Sequence, residues 1–232
     1  MRKKLKKLLP KSKLCDIIIY LCIVRCVLLD IIKLNGAGFA SNTYILLSGG
    51  EAAVVDPSAE LSLILDAVGD STIRYILLTH GHFDHVLTLR ELYESTSAEI
   101  MIHEADIEMP ADPSINASEY FGLSFSSVTP TRGLREGDQI PLGNEYIKLL
   151  STPGHTPGSA CYDCKDFIVC GDTLFSQSYG RYDLPGGDGR ILFSSLKRLA
   201  VIDRETFIHP GHGASCELSQ ADIIRAIRNN NL

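Results

Sequence analysis

Four side chains able to bind a metal ion stand within six positions in His80-Gly81-His82-Phe83-Asp84-His85. Three of the chain's seven histidines fall here. Imidazoles packed this closely repel one another once protonated, and each needs a hydrogen-bond partner. A metal cation removes both difficulties by taking up the lone pairs. The apolar run Tyr75-Ile76-Leu77-Leu78 precedes the motif and a helix-like stretch follows it. A buried strand would thus deliver three imidazoles and a carboxylate to the edge of a sheet.

A metal pair needs more than four protein ligands, so the motif predicts others downstream. His155 lies in Thr152-Pro153-Gly154-His155-Thr156-Pro157-Gly158, after the apolar run Tyr146–Leu150. Asp172 lies in Cys170-Gly171-Asp172-Thr173, after Phe167–Val169, and His212 in His209-Pro210-Gly211-His212-Gly213, after Phe207–Ile208. In each case a strand delivers a polar residue flanked by glycine, which permits a sharp turn and keeps bulk away from an ion. His103 and His209 are left over: His103 is expected to be structural, and His209, at a strand end beside His212, to pack or to support a ligand rather than bind metal.

The elements that must hold these residues are legible from the apolar pattern. Strands are expected at Ile31–Leu34, Tyr44–Leu47, Ala52–Val55, Tyr75–Leu78, Glu99–Ile102, Tyr146–Leu150, Ala160–Tyr162, Phe167–Cys170 and Phe207–His209. Helices are expected at Ala59–Val68, Val86–Ser95, Ser194–Ile202 and Ser219–Asn229. The early strands meet through Gly49-Gly50, which implies antiparallel pairing, whereas later strands alternate with helices. That mixture predicts an α/β protein with helices on the outer faces of sheets. Residues 109–135 are rich in Pro, Ser and Gly and read as a flap or a surface loop.

Charge is unevenly spread over the 232 residues. Residues 1–13 hold seven of the 22 basic side chains and no acid; without them 15 basic groups face 28 acidic ones, a balance of −13. A body this acidic excludes electrostatic binding of nucleic acid. The basic start leads into Ile17–Val24, an uncharged run of eight residues between Asp16 and Arg25. A bilayer span needs about 20 residues, so a crossing helix is not expected. Residues 1–26 are read as an extension (an interfacial helix, a partner-binding tail, or translation upstream of the true start), and 27–232 as one domain. Seven cysteines without a framework spacing argue for a reducing, cytoplasmic setting. Cys161-Tyr162-Asp163-Cys164 lacks the second pair that a zinc knuckle needs.

Taken in series, these motifs resemble the metallo-β-lactamase superfamily, and within it the glyoxalase II-like hydrolases. The residues that carry the resemblance are His80–His85, Thr152–Ser159, Gly171-Asp172-Thr173-Leu174-Phe175 and Pro210-Gly211-His212-Gly213, together with Asn42-Thr43-Tyr44 and Val54-Val55-Asp56-Pro57. The resemblance implies a four-layer αββα sandwich holding two divalent metal ions, zinc foremost, with iron or manganese as alternatives. Carried over by position, His80, His82 and His155 would bind the first metal, Asp84, His85 and His212 the second, and Asp172 would bridge them.

Such a centre activates a shared hydroxide that attacks a carbonyl, with Asp84 and Asp172 as the catalytic carboxylates. A thiolate leaves without protonation, because a thiol has a pKa of about 8.5, whereas an amine needs a donor that the motifs do not supply. The expected substrate is therefore a small thioester, such as S-lactoylglutathione or another acyl-thiol. Lactones and other esters form the alternative, and a mononuclear-iron persulfide dioxygenase is the alternative from a different class. Only 20 residues follow His212, too few for the helical domain with which glyoxalase II helps to hold glutathione. Within Gly180–Asp188, Arg181 could clamp a substrate carboxylate or form a structural ion pair with Asp183.

Overall fold

The first hairpin follows from its residues: continuous apolar runs, buried on both faces, in β2 (Thr43–Ser48) and β3 (Glu51–Val55), joined by Gly49 and Gly50, both at positive φ. A computed structural model describes residues 29–36 and 38–230. The extension read over residues 1–26, with Cys15, Cys22 and Cys26, lies outside the described residues. Among the described residues no helix is long and apolar enough to cross a membrane.

Two six-stranded sheets form the body. The first runs β1 (Asp30–Leu34), β2, β3, β4 (Thr72–Leu77), β5 (Glu99–His103) and β6 (Arg132–Leu134) in chain order. The second contains β7 (Gln139–Leu142), β8 (Glu145–Ser151), β9 (Ala160–Asp163), β10 (Phe167–Gly171), β11 (Phe207–Pro210) and β12 (Cys216–Glu217), in the order β12-β11-β10-β9-β8-β7. Pairing is antiparallel where hairpins connect strands. It is parallel where a helix or long loop intervenes: β3 with β4, β4 with β5, β5 with β6, and β10 with β11. The crossovers carry α1 (Leu61–Val68), α2 (Leu89–Thr96) and α3 (Gly189–Ala200), and α4 (Asp222–Arg228) closes the chain.

Three apolar layers separate four layers of structure. Tyr44, Leu46, Val55 and Met101 of the first sheet meet Ile147, Leu149, Tyr162 and Val169 of the second. Behind the first sheet, Ile45, Val54 and Ile100 pack on Ile64 of α1 and Leu92 of α2. Behind the second, Cys161, Ile168 and Ile208 pack on Leu192 and Leu196 of α3 and Ile224 of α4. This is the αββα sandwich expected from the sequence. Cys161, in β9, faces the outer layer and Cys164, just past its end, the inner one, so the two thiols of the CxxC lie on opposite sides of the sheet and share no ligand.

Several boundaries differ from expectation. α3 begins at Gly189 rather than Ser194, because Asp188 caps it by accepting from the amides of Arg190 (2.8 Å) and Ile191 (3.1 Å). α4 starts at Asp222 because Leu218–Gln220 forms a 3₁₀ turn. β6 and β7 were not expected at all. Pro141 masks β7, and it is tolerated because β7 is an edge strand. The stretch 109–135 is tied down by Asn116, whose amide donates to the Phe125 carbonyl at 2.8 Å, and by the Phe125 amide donating to Ser118 at 3.2 Å. Ala117 and Phe121 from this stretch line the cavity at the sheet edges.

Candidate metal centre

All seven residues singled out as ligands converge beyond the ends of β4, β8, β10 and β11, although 132 positions separate the first from the last. His80 Nε2, His82 Nδ1 and His155 Nε2 form a near-equilateral triangle with sides of 3.1, 3.0 and 3.2 Å. Asp84, His85 and His212 make a second group, with His212 Nε2 at 3.1 Å and His85 Nε2 at 3.8 Å from Asp84 Oδ2. Asp172 stands between the groups: Oδ1 lies 3.3 Å from His85 Nε2, and Oδ2 lies 3.7 Å from both His155 Nε2 and His212 Nε2.

The hydrogen bonds around the imidazoles settle which nitrogen carries a proton. His80 Nδ1 donates to Thr79 Oγ1 (3.1 Å), His155 Nδ1 to the Arg181 carbonyl (2.6 Å) and His85 Nδ1 to Asp56 Oδ2 (2.8 Å). Each of these three rings is thereby left with an Nε2 lone pair aimed inward. Unprotonated nitrogens about 3 Å apart repel unless something positive lies between them. Tetrahedral ligands at about 2.0–2.1 Å from one ion are separated by about 3.3 Å, close to the triangle observed. Among the described residues, His85 Nε2 and Asp172 Oδ1 are buried with no hydrogen-bond partner. Imidazole with carboxylate suits Zn²⁺, Fe²⁺ or Mn²⁺, and these residues fit divalent cations of that kind.

Electrostatics agree with this. Burial, reinforced by the neighbouring imidazoles, holds His80 well below the usual imidazole range and His82 at about 3, so both offer lone pairs at neutral pH. For His85 burial acts the same way, but Asp172, Asp56 and Asp84 outweigh it and raise its affinity for a positive charge. Burial would raise the Asp84 and Asp172 carboxyls. The His85 imidazole reverses that for both, aided at Asp84 by the hydrogen bond from His212, and both are lowered. The centre is built to hold cations, and metal takes the place of protons.

A further set of residues, not singled out as functional from the sequence, holds the ligands in place. Asp56, at the end of β3 with φ of 51°, is buried and accepts from His85 Nδ1, from Thr79 Oγ1 (2.7 Å) and from the Thr79 amide (2.8 Å). One carboxylate thus steers His80 and His85 together. Its signal was available: a lone acid between the apolar Val54-Val55 and Pro57. Asn42 accompanies the last ligand, since its amide side chain donates to the carbonyls of Pro210 (2.9 Å) and Gly213 (3.1 Å). Asp106 joins two ligand loops. It accepts from Thr156 Oγ1 and from the Gly158 amide, both at 2.6 Å, and also from the Gly81 backbone. The Asp84 carbonyl accepts from the Ser41 amide at 3.0 Å and from Ser58 Oγ. Two glycines are required by space: a Cβ on Gly211 would overlap Asp172 Oδ1, and Gly171, at φ 47°, lies against Thr79.

The leftover histidines lie apart from the ligand groups. His209 pairs with Ser215 Oγ at 2.8 Å and packs edge-on against Tyr44 and Phe167, while His103 Nδ1 accepts from the Ala105 amide. Arg181 lines the cavity, but its guanidinium donates twice to Asp183, at 2.7 Å each, and lies over the rings of Tyr120 and Phe121. The ion-pair alternative is the one the geometry displays, and the clamp of a substrate carboxylate is not formed by a free guanidinium.

Residues 36–212 match the family model described as the metallo-beta-lactamase superfamily. A probable metallo-hydrolase of Bacillus subtilis, YqgX, is 33% identical over 184 residues, covering 77% of this chain and 87% of that protein. Among solved structures, the B3 metallo-beta-lactamase BLEG-1 superposes with a TM-score of 0.77 at 26% identity, over 84% of this chain and 99% of that one. TTHA1623, solved in a di-iron-bound form, superposes with a TM-score of 0.72 at 33% identity, over 82% and 96%. Fold, ligand groups and kinship agree, and the chain belongs to the metallo-beta-lactamase superfamily, among its metal-dependent hydrolases.

Proposed function

We propose that the protein is a binuclear metal-dependent hydrolase of thioesters. The observation that carries this reading is the position of Asp172, whose carboxylate stands between the two groups, with Oδ1 toward His85 and Oδ2 equally far from His155 and His212. His80, His82 and His155 would hold one cation, Asp84, His85 and His212 the other, and Asp172 would touch both. A pair of divalent cations there supplies an activated water and Lewis-acid stabilisation of the oxyanion. Zinc is the first choice on donor type, and the di-iron form of TTHA1623 makes iron the alternative. A complete second group supports the binuclear reading over a mononuclear-iron oxidoreductase.

The protein's own groups set the leaving-group preference. Asp84 Oδ2, kept ionised beside His85 and His212, carries the proton taken from the attacking water. Apart from the ligands, the proton-bearing groups lining the cavity are Tyr179 and Arg181. A guanidinium does not give up a proton at neutral pH, so an amine would have to draw its proton from Asp84 or Tyr179, whereas a thiolate, with a thiol pKa of about 8.5, needs none. A leaving group that departs as an anion is therefore favoured, which selects thiolates over amines and keeps activated esters and lactones as the second substrate class.

The test is metal analysis of the purified chain together with turnover of a thioester and ester panel. Two metals per chain with thiol release supports the reading. One iron with oxygen uptake on glutathione persulfide overturns it. Asp84→Ala is expected to empty one metal position and lower turnover while the His80–His82–His155 position stays loaded; loss of both metals alike contradicts the assignment.

A further inference from the structure

The centre opens into a cavity of about 380 Å³ whose walls, ligands aside, are chiefly carbon: Phe39, Phe83, Phe121, Phe175 and Leu184. Phe83 sits between the ligands His82 and Asp84 in the chain, so its ring is part of the metal loop itself. It is buried, and Phe39, Phe121 and Phe125 surround it with centroid distances of 6.3, 5.8 and 6.5 Å. Beyond Phe39 and Phe83 lies a second groove of about 410 Å³, lined by these same two rings with Leu87, Leu123 and Phe125. The two spaces share Phe39 and Phe83 in their linings, so the groove adjoins the metal-bearing cavity at these two rings.

Among the described residues, the far groove presents no charged side chain, and the cation lining the near cavity, Arg181, is held by Asp183. Leu123, Phe121 and Phe39 are 43, 41 and 62% exposed. A polar arm laid along this path would shed water without finding partners, whereas an apolar arm would gain from every methylene covered. Contiguous exposed apolar surface leading out of a catalytic centre is unusual on a protein that binds only small polar molecules.

We propose that the substrate carries an apolar arm, an alkyl or aryl chain, which runs from the metal centre past the exposed Phe39 ring and lies in the adjoining groove bounded by Leu87, Leu123 and Phe125. This rests on the hydrolase reading above and names its substrate class: a hydrophobic thioester or ester rather than a glutathione conjugate. The arm belongs either to the acyl group or to the leaving group, and the two are separable by experiment.

The metal-loaded full chain is assayed on two homologous series. One runs from acetyl to decanoyl thioesters of N-acetylcysteamine, the other comprises acetyl thioesters of lengthening n-alkanethiols. Binding of the matching non-hydrolysable thioethers is measured separately by calorimetry. In one of the two series, affinity and kcat/KM are expected to rise about fourfold per added methylene until the groove is full. Leu123→Asp, at an exposed position that tolerates charge, is expected to flatten that slope. Calorimetric slopes that are flat in both series overturn the proposal, and turnover of short thioesters would then leave the hydrolase reading intact. A binding slope without turnover of any thioester or ester overturns the hydrolase reading and retains the groove. A dimer that Leu123→Asp converts to monomer, with the slope unchanged, makes the groove an interface between copies and overturns the proposal.

Discussion

Asp56 and His85 are joined by a 2.8 Å hydrogen bond in which neither side chain meets solvent: the Asp56 carboxylate is 1% exposed and the imidazole 0%. The same carboxylate takes the Thr79 hydroxyl, which in turn takes the proton of His80. One buried charge therefore fixes the tautomer of a ligand in each group. Such outer partners raise ligand basicity and restrain ring orientation. Asp56→Asn keeps the size and the left-handed backbone, which Asn tolerates, while removing the charge. Metal affinity is expected to fall about 10–100-fold, more for the ion at His85 than for the ion at His80. Competition with a calibrated chelator measures it, and unchanged affinity would reduce Asp56 to a packing role.

Gly211 offers a steric test of the same centre. Its amide donates to the Gly171 carbonyl at 2.8 Å, and a Cβ there would meet Asp172 Oδ1 and the His85 ring. Gly211→Ala is expected to displace the Asp172 carboxylate and weaken metal binding at least tenfold. Strain from such overpacking is about 1–3 kcal/mol, small enough for the chain to fold. Metal content by mass spectrometry beside the thermal transition of the metal-free chain separates the two effects; a large loss of stability with full metal content would contradict it.

The ligands were legible because the chemistry is dense and local: six positions hold His80, His82, Asp84 and His85, and His155, Asp172 and His212 each follow an apolar run ending in glycine. The apolar runs predict sheets covered by helices on their outer faces, and the four-layer order is what the family resemblance implies. What holds the ligands was harder to see. Asp56, Thr79, Asn42 and Asp106 act through side-chain hydrogen bonds to partners 23 to 171 positions away, and no local pattern announces a partner that distant. β7 was hidden by Pro141, whose meaning depends on the strand being at an edge. For Arg181 the sequence leaves a carboxylate clamp and an ion pair with Asp183, two residues on, equally open, and it is the shape of the loop that displays the pair.

Arg181 now yields a prediction of its own. The Asp183 carboxyl is drawn down to about 2, first by its hydrogen bond from Arg181, and the pair is exposed. Asp183→Asn would release the guanidinium toward the cavity while keeping the side chain's size. Thioesters that bear a carboxylate, S-lactoylglutathione among them, are expected to gain about twofold to fivefold in kcat/KM, in keeping with the modest strength of exposed ion pairs. Uncharged thioesters are expected to be unaffected. Equal changes in both classes would mean that the pair only shapes the loop.

His209 governs part of the acid response away from the metal ligands. It is half-buried between Tyr44 and Phe167, and burial, with a contribution from Lys33, lowers its pKa to about 4. The unfolded chain takes up that proton near pH 6.5, so between about 6.5 and 4 the unfolded state binds more protons than the folded one. By linkage this residue's contribution to stability is complete above pH 6.5 and is lost as the pH falls toward 4. His80 and His82 are lowered as well, so only a difference is diagnostic. His209→Gln retains a partner for Ser215 and cannot charge. In the metal-free chain, its urea midpoint is expected to fall less steeply between pH 6.5 and 4 than that of the unaltered chain, with parallel curves above pH 7. Curves that stay parallel throughout would show that His209 is free to protonate in the folded state.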